Sequence, residues 1–499
     1  MRKPATMTSA NTRYRLNRLL AVATIISVLQ GCSRSDPPAP SWVENVFPSA
    51  GNFAGRCDTL RQNFYLRSIF NRYYYWTEDI IDQDPADFAS TSQHFDYLVT
   101  DDITASGKAK DAYSAFISSE EYNNLVSGDG ERGYGMRLTS SEPDFTGAIR
   151  IAYVAPNSPA ALANIVRGDE ITEVDGFTLI GADREISLPL LFPRNTGESH
   201  DFSIAGKGVI TLVSEDVDFE PVQHEQIIGT DTGYLFFDDH AQDAEGELIS
   251  AMQMFANHNG GTGIDELILD LRYNSGGLLF IANQLSYMIA GGSKTSGKFF
   301  ERLKFNDNFS DENLIFQSIG RDPVSGLNTT LPQLSLARVI VISDHATCSA
   351  SESIINALRG VGVEVVLIGE QTCGKPYGFI GFRNCGNTWL PIEFQSFNHL
   401  NESGYQDGFR ADAGSFGVTL PGCVVADDFS TALGVSSEGR IAAALEYIDS
   451  ENCPVAALIS SSALRSAPAL RAPGLAVNSA AMMKALQGWS VLEERDMRN

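Results

Sequence analysis

The chain is poor in the residues and spacings that usually bind a metal ion. It has 7 histidines and 7 cysteines in 499 residues, and they form neither a Cys-x-x-Cys pair nor a His-Glu-x-x-His motif. Compact zinc sites normally place their cysteine and histidine ligands at such short spacings. The sequence therefore predicts no metal site, and no motif for an organic cofactor stands out either.

Positive charge is also scarce. The chain carries 36 Lys and Arg against 62 Asp and Glu, a formal net charge of -26, and no cluster of basic residues offsets it locally. Such a charge repels phosphate backbones and anionic lipid surfaces, so we expect no nucleic acid partner. The composition, 43% hydrophobic and 20% charged, is that of a globular protein with room for two or three domains.

Long apolar runs are lacking, and the one near the start is short. Residues 19–29 are apolar and follow Arg13, Arg15 and Arg18. A run of this length does not span a bilayer comfortably, whereas a basic segment followed by a short apolar one is typical of a secretory signal peptide. We predict a signal peptide over residues 1–32, with an internal apolar helix as the alternative.

The end of this run resembles a bacterial lipobox. It reads Leu-Gln-Gly-Cys and stops at Cys32. The resemblance implies cleavage before Cys32, acylation of that cysteine, and a lipoprotein of the cell envelope that faces the periplasm or sits on the outer membrane. A plain signal peptide is the alternative. Residues 33–56, rich in serine and proline at their start, are predicted to be a flexible tether, and residues 457–499 a low-complexity tail.

The remaining chain changes its pattern twice. Residues 57–128 have apolar residues at helical spacing and predict a helical segment. Residues 129–222 contain short β-like runs broken by glycine and proline, which predict a mostly β domain. Residues 223–456 alternate strand-like and helix-like segments, as α/β folds do.

The β region resembles a PDZ domain of the bacterial protease type. The resemblance rests on the run SPAALANIVRGDEITEVDG and on the loop Gly133-Tyr134-Gly135-Met136 that precedes it. It implies that Tyr134, Gly135 and Met136 bind the terminal carboxylate of a peptide that adds a strand to the sheet. The alternative is a glycine turn before an unrelated β-sheet domain.

Three predicted strands of the α/β region end in polar or glycine-rich turns. The first leads into Gly276 and Gly277, the second into Ser349 at the start of a predicted helix, and the third into Lys375. Paired glycines can turn backbone N–H groups toward a developing negative charge, and a helix N-terminus favours an alkoxide-like nucleophile. Parallel strands that end at one edge of a sheet commonly form the active site of α/β enzymes.

These segments resemble the carboxyl-terminal processing proteases, peptidase family S41. The family patterns D-L-R-x-N-x-G-G, S-A-S-E and G-E-x-T-x-G-K occur here in the family's order, ending at Gly277, Glu352 and Lys375. The resemblance implies an α/β fold with a crotonase-like or ClpP-like protease core, preceded or interrupted by the PDZ domain and by the N-terminal helical segment. It also implies hydrolysis of proteins or peptides as substrates.

Carried over residue by residue, the resemblance implies that Ser349 is the nucleophile and Lys375 the general base. The oxyanion donors would be the N–H of Ala350 and that of Gly276 or Gly277. A lysine near its ordinary pKa of 10.4 is protonated at neutral pH, so burial must lower the pKa of Lys375 for it to act as a base.

One departure concerns the position four residues after the lysine. Processing proteases often carry a glutamine there to orient the amine, whereas this chain has Phe379. Another group must then hold Lys375, either the Glu352 carboxylate or a backbone carbonyl.

Several alternatives remain open at this point. Ser349 and Glu352 also have the spacing of a capping box, and His345 invites a Ser-His-Asp triad. The whole chain is alternatively a non-catalytic lipoprotein that binds peptides or apolar ligands at the cell surface.

The six cysteines after Cys32 are an even number in an exported chain and favour disulfides. A Cys348–Cys373 bond would join the two catalytic turns, and Cys385 with Cys423 is the second pairing that we expect.

Overall fold

The computed structural model describes residues 38–128, 130–140, 147–454 and 489–491. The predicted signal peptide with Cys32, the start of the tether and nearly all of the predicted tail lie outside the described residues. Within the described ranges, no helix has both the length and the apolar character needed to cross a membrane.

The first described segment is mainly helical, as its pattern predicts. Its elements are α1 (Thr59–Tyr73), α2 (Thr91–Leu98), β1 (Ala115–Ser118) and α3 (Ser119–Ser127), with 3-10 turns at Ala50–Asn52, Thr77–Asp79 and Pro85–Asp87. Helix α1 is capped by Asp58, whose carboxylate accepts the N–H of Arg61 at 3.1 Å. Its apolar face, including Phe64, Ile69 and Phe70, is buried in the main hydrophobic core.

The second half of the predicted flexible tether packs against this helix instead. Phe53 is buried and its ring centroid lies 5.3 Å from that of Phe64. The buried guanidinium of Arg67 donates to the carbonyls of Val43 and Val46, at 3.2 and 2.8 Å. A buried guanidinium needs acceptors on every side, and this stretch of chain supplies two of them.

The next segment forms a sheet of its own. Its elements are β2 (Glu131–Gly133), β3 (Met136–Ser140), β4 (Ile149–Val154), α4 (Pro159–Leu162), β5 (Glu170–Val174), β6 (Phe177–Thr178), α5 (Arg184–Ser187), β7 (Ser199–Ile204), β8 (Gly208–Val213) and β9 (Glu215–Val217), with a 3-10 turn at Leu188–Leu191. The strand order is β3-β4-β5-β7-β8, with β6 paired to β5, and these pairs are antiparallel. The sheet has a separate apolar core. Strands β3 and β8 are the two edge strands of this order.

The α/β region begins with alternating strands and helices. In order they are β10 (Val222–Ile228), β11 (Thr232–Phe237), α6 (Ala244–Gly261), β12 (Glu266–Asp270), β13 (Gly276–Leu278), α7 (Leu279–Thr295), β14 (Phe299–Phe305), β15 (Glu312–Ile315), β16 (Ile319–Arg321), β17 (Asn328–Thr330), β18 (Arg338–Ser343), α8 (Ala350–Gly360) and β19 (Glu364–Gly369). The region contains both strands and helices, as the alternating pattern predicts.

Short strands and one long helix complete the described chain. They are β20 (Tyr377–Gly378), β21 (Phe382–Asn384), β22 (Asn387–Leu390), β23 (Phe394–Phe397), β24 (Phe409–Arg410), β25 (Val418–Thr419), β26 (Gly422–Val424), α9 (Gly439–Ser450) and β27 (Trp489–Val491). Strand β22 pairs with β1 and so joins the N-terminal segment to the α/β region.

The central sheet has the order β10-β11-β12-β18-β19-β26, with β11 to β26 parallel and β10 antiparallel at one edge. Its strands are apolar on both faces, as parallel strands covered by helices must be. Leu269 and Val341 pack into the main core beside helices α6, α7 and α8, whereas Ile268 and Ile340 face a second core that includes helix α9. The fold is a mixed α/β fold with both sheet faces covered.

Three disulfides fix the ends of these elements. Cys348 bonds Cys373, which confirms that predicted pair. The predicted Cys385–Cys423 pair is wrong, because Cys385 bonds Cys57 and Cys423 bonds Cys453. The error has a physical reason: strand β1 brings the N-terminal segment to the β21–β22 hairpin, and spacing along the chain gives no sign of this contact across 328 residues.

Candidate active site

The candidate site lies where three neighbouring parallel strands end. Strands β12, β18 and β19 are adjacent and parallel, so their carboxyl ends meet at one edge of the sheet. Gly276 follows the first strand, Ser349 the second and Lys375 the third. This arrangement confirms the expectation that the three turns share one edge.

The first turn starts from a buried ion cluster. The Arg272 guanidinium has no solvent exposure and forms ion pairs with Asp270 at 2.8 Å, Asp427 at 3.0 Å and Glu438 at 2.8 Å. Bidentate, charge-assisted bonds of this kind fix a side chain in one geometry. The arginine of the D-L-R motif therefore anchors the start of the turn, a role that the motif alone does not reveal.

Asn274 shapes the rest of this turn and joins it to the serine turn. Its Oδ1 accepts the Gly276 N–H at 3.0 Å, so that N–H points to the asparagine. Its backbone carbonyl accepts the Cys348 N–H and the Ser351 hydroxyl, both at 3.1 Å. Gly277 has φ of +146°, and a Cβ there would lie 2.7 Å from the Cβ of His240, so the position requires glycine.

Ser349 occupies a strained position at the start of helix α8. Its φ is +58° and its ψ is -114°, a conformation that side-chain-bearing residues seldom adopt and that often marks functional positions. The residue is buried, and its hydroxyl makes no hydrogen bond to any of the described residues. Ala350 is the first residue of the helix, so its N–H is among the first-turn donors that have no partner within the helix.

Ser349 and Glu352 have the spacing of a capping box, but only the half made by the glutamate side chain is formed. The Ser349 N–H donates to Glu352 Oε2 at 3.0 Å, whereas the serine hydroxyl makes no such bond. The glutamate therefore caps the serine backbone and leaves the hydroxyl oxygen available for chemistry.

The same glutamate holds the lysine turn. Glu352 accepts the backbone N–H groups of Gly374 at 2.9 Å and Lys375 at 2.7 Å, and the Thr372 hydroxyl at 2.5 Å. Burial raises the pKa of Glu352 above its ordinary value, although these hydrogen bonds act to lower it. One carboxylate thus ties the backbone of the serine to the backbone of the lysine, beside the Cys348–Cys373 bond.

Lys375 is buried, with a relative exposure of 1%. Burial lowers its pKa from 10.5 to about 7, against the opposing charges of Asp111 and Glu352, which raise it. A lysine with this pKa is substantially neutral at neutral pH and can accept a proton.

Two aromatic rings face the amine. Lys375 Nζ lies 4.5 Å from the ring centroid of Phe379 and 5.1 Å from that of Tyr113. Tyr113 and its neighbour Asp111 come from the N-terminal segment, more than 260 residues earlier in the chain, and sequence reasoning missed both. No short-range pattern could have indicated them.

His345 lies beside the Glu370 carboxylate, whereas a Ser-His-Asp triad also requires a hydrogen bond between the histidine and the serine hydroxyl. Its Nδ1 lies 3.4 Å from Glu370 Oε2. Since the Ser349 hydroxyl has no hydrogen-bond partner among the described residues, a Ser-His-Asp triad is not formed.

The predicted peptide-binding loop lies close to the first two of these turns. Gly133, Tyr134, Gly135 and Met136 line one cavity together with Ser275 and Ala346, which belong to the first and second turns. Gly135 has φ of +79°, and a Cβ there would lie 2.1 Å from the Cβ of Ser158. The loop conformation therefore depends on this glycine.

Comparison with known proteins gives a consistent result. The family model described as "Peptidase family S41" matches residues 231–382, which contain all three turns. The carboxyl-terminal-processing protease of Picosynechococcus sp. is 25% identical over 279 residues, covering 53% of this chain and 60% of that protein. The corresponding protease of Synechocystis sp. is 25% identical over 344 residues, covering 66% of this chain and 73% of that protein.

Among solved structures, a candidate S41 protease from Bacteroides fragilis has a TM-score of 0.57 at 22% identity, covering 83% of this chain and 99% of that one. This likeness establishes the fold. The chain spans 60% of the length of the first curated relative.

Proposed function

Because this chain carries a peptidase family S41 domain and is homologous to carboxyl-terminal processing proteases, we propose that it is a serine endopeptidase that uses a Ser349–Lys375 dyad. Its substrates are proteins or peptides. The reaction is acyl transfer through an ester on Ser349, followed by hydrolysis.

The observation that supports this proposal most strongly is the shared carboxylate. Glu352 accepts the N–H of Ser349 and the N–H of Lys375 on the same oxygen, at 3.0 and 2.7 Å. Two turns held by one acceptor keep a constant separation, which is what proton transfer between their side chains requires. A solvated loop lysine or a simple helix cap needs no such link.

The proposed steps follow from these groups. Neutral Lys375 takes the Ser349 proton while the serine oxygen attacks the substrate carbonyl carbon. The N–H groups of Ala350 and Gly277 stabilise the oxyanion, since the Gly276 N–H is directed to Asn274. The ammonium of Lys375 then protonates the leaving amine, and water, deprotonated by the lysine, hydrolyses the ester in the second half of the cycle.

The serine–lysine hydrogen bond has to form before the first step. The Ser349 hydroxyl has no partner among the described residues, so rotation about its χ1 angle breaks no hydrogen bond of the hydroxyl. Catalytic hydrogen bonds often tighten only when substrate is bound.

We also propose that the β-sheet domain is a PDZ domain that delivers substrate C-termini. Strand β3 follows the Tyr134–Gly135 loop directly and is an edge strand, so an extended peptide can add to it. The cavity shared by this loop with Ser275 and Ala346 would bring a bound peptide next to the first and second turns.

Lipid anchoring at Cys32 is a separate proposal that depends on the lipobox resemblance alone. It predicts that cells expressing the full chain with labelled palmitate incorporate the label, and that Cys32→Ala abolishes incorporation. Equal labelling of both proteins would contradict it.

The test of the enzyme proposal is cleavage of casein by the purified chain. Ser349→Ala should abolish cleavage, and a fluorophosphonate probe should label the parent protein but not this variant. Ser250→Ala changes an exposed serine on helix α6 and should keep full activity.

Full cleavage by Ser349→Ala would overturn the proposal. Peptide binding without cleavage by the parent protein would instead favour the non-catalytic binding protein.

A further inference from the structure

We propose that the ring faces of Phe379 and Tyr113 position the Lys375 amine, an inference that rests on the protease function proposed above. Nζ lies 4.5 Å from one ring centroid and 5.1 Å from the other. Both distances are within the range of about 6 Å at which an aromatic face attracts an ammonium group. Phe379 stands at the position where related proteases often carry a glutamine.

Phe379 is held in place by its neighbours along the chain. It is fully buried, and the next N–H along the chain, that of Ile380, donates to Glu393 Oε1 at 2.6 Å. The preceding Gly378 lies against the Phe394 ring, where a Cβ would come within 2.1 Å of a ring carbon. The sequence Gly-Phe therefore allows the backbone to approach Phe394 closely while the Phe379 ring faces the lysine.

Tyr113 is fixed by bonds to the lysine turn itself. Its hydroxyl donates to the Gly374 carbonyl at 3.1 Å, and its N–H donates to Asp111 Oδ1 at 2.9 Å. Lys108 Nζ donates to the Tyr113 hydroxyl and to the Cys373 carbonyl, the latter at 2.7 Å. The ring thus moves with the turn that carries Lys375, although it belongs to another part of the chain.

An aromatic face suits a lysine that changes charge during the reaction. The negative face of the ring attracts the ammonium that forms when the lysine takes the serine proton. A ring face offers no directional acceptor, so the rings themselves do not fix the lone pair of the neutral amine in one direction.

Other charged or titratable groups also face this position. Asp111 and Glu352 favour the ammonium form of Lys375 electrostatically. Tyr113 and Lys108, which are bonded to each other, belong to the N-terminal segment. A test must therefore change the ring face and leave these charges in place.

Fluorination of the ring meets this requirement. Replacing Phe379 by 3,4,5-trifluorophenylalanine removes most of the negative potential of the ring face and nearly preserves its volume. We would introduce it into the inactive Ser349→Ala protein and follow the Lys375 side-chain resonance during a pH titration, assigning that resonance by its loss in Lys375→Met. The midpoint should fall by about one pH unit, because the ring then stabilises the ammonium less.

The matched control is the same replacement at Phe382. That ring is also buried and lies 4.8 Å from the ring of Tyr73. It should leave the midpoint unchanged. An unchanged midpoint at position 379, or an equal shift from position 382, would overturn the inference. The readout needs no activity, so a failed protease proposal would be recognised separately.

Activity supplies a second readout. Phe379→Leu should lower kcat roughly tenfold with little change in KM, Phe379→Gln should lose less because its amide can accept a hydrogen bond from the amine, and Phe382→Leu should keep kcat. Full kcat in Phe379→Leu would contradict a positioning role.

Discussion

The serine turn and the lysine turn are held in different ways. Hydrogen bonds accepted by Asn274 and Glu352 define the backbone around Ser349, and all three residues lie in the segments that resemble the family motifs. The backbone of Lys375 is held by Glu352 as well, but its side chain is enclosed by Phe379 and by Tyr113 from the N-terminal segment.

This difference separates two tasks. The hydrogen bonds to the backbone set where Ser349 and Lys375 lie, whereas burial of the amine lowers the pKa of Lys375. Placement can be encoded in short local motifs because it uses neighbouring strand ends. The charge of the lysine depends on burial, which requires surfaces from distant parts of the chain.

The largest effects should follow from Lys375→Met, which removes the amine from its enclosure. Cleavage of casein should fall at least about a thousandfold because no base remains. The pKa of Lys375 is about 7 in the folded protein and 10.5 as its ordinary value. Its burial therefore destabilises the folded state by the full amount below about pH 7, and this destabilisation disappears as the pH rises toward 10.5. The Lys375→Met variant should therefore have a higher Tm than the parent at pH 6, and the gain should shrink toward pH 10.

The matched variant is Lys298→Met, a partly exposed lysine, which should change neither quantity appreciably. If the Lys375→Met protein were less stable than the parent at pH 6, burial of the charged amine would not destabilise the folded state, and the prediction would be wrong.

A smaller effect should follow from Glu352→Gln, which weakens the hydrogen bonds that hold the serine turn and those that hold the lysine turn. A neutral amide is a poorer acceptor for the four donors that the carboxylate now holds, and buried donors left without a partner cost roughly 1–3 kcal/mol each. We expect kcat to fall about 10- to 100-fold and the free energy of unfolding to fall by a few kcal/mol, measured by casein cleavage and urea unfolding.

Glu364→Gln, at an exposed position at the start of strand β19, is the control for the loss of one negative charge. Equal losses in the two variants would mean that the shared carboxylate has no special role.

The smallest effect on activity should follow from removing the Cys348–Cys373 bond, which duplicates the link made by Glu352. Alanine at both positions opens a loop with a sequence separation of 25 and should cost about 3 kcal/mol of stability, with a severalfold loss of kcat. Replacement of Cys423 and Cys453 opens a loop with a separation of 30 and should cost similar stability at unchanged kcat. If only the variant without the Cys423–Cys453 bond lost kcat, the Cys348–Cys373 bond would not be the one that holds the serine and lysine turns together.

The sequence allowed much of this site to be predicted, and the reason is local. Strands β12, β18 and β19 have apolar runs that end in recognisable motifs, and neighbouring parallel strands bring Gly277, Ser349 and Lys375 to one edge. Glu352 was predicted as a possible partner of the lysine, and the structure shows that it binds the lysine backbone.

What could not be predicted depends on contacts between distant segments. The bond between Cys57 and Cys385 and the position of Tyr113 both follow from the way in which the N-terminal segment packs on the β21–β22 hairpin and on the lysine turn. The packing of Phe53 under helix α1 has the same origin, because a serine- and proline-rich start gave no sign of it.

Whether the enclosed Lys375 acts as the base can be measured by the pH dependence of kcat/KM for a peptide substrate. The rate should rise with pH through a midpoint near 7, where the amine loses its proton, and this midpoint should move to lower pH when Phe379 is fluorinated. A midpoint near 10, or one that Phe379 does not influence, would contradict the account.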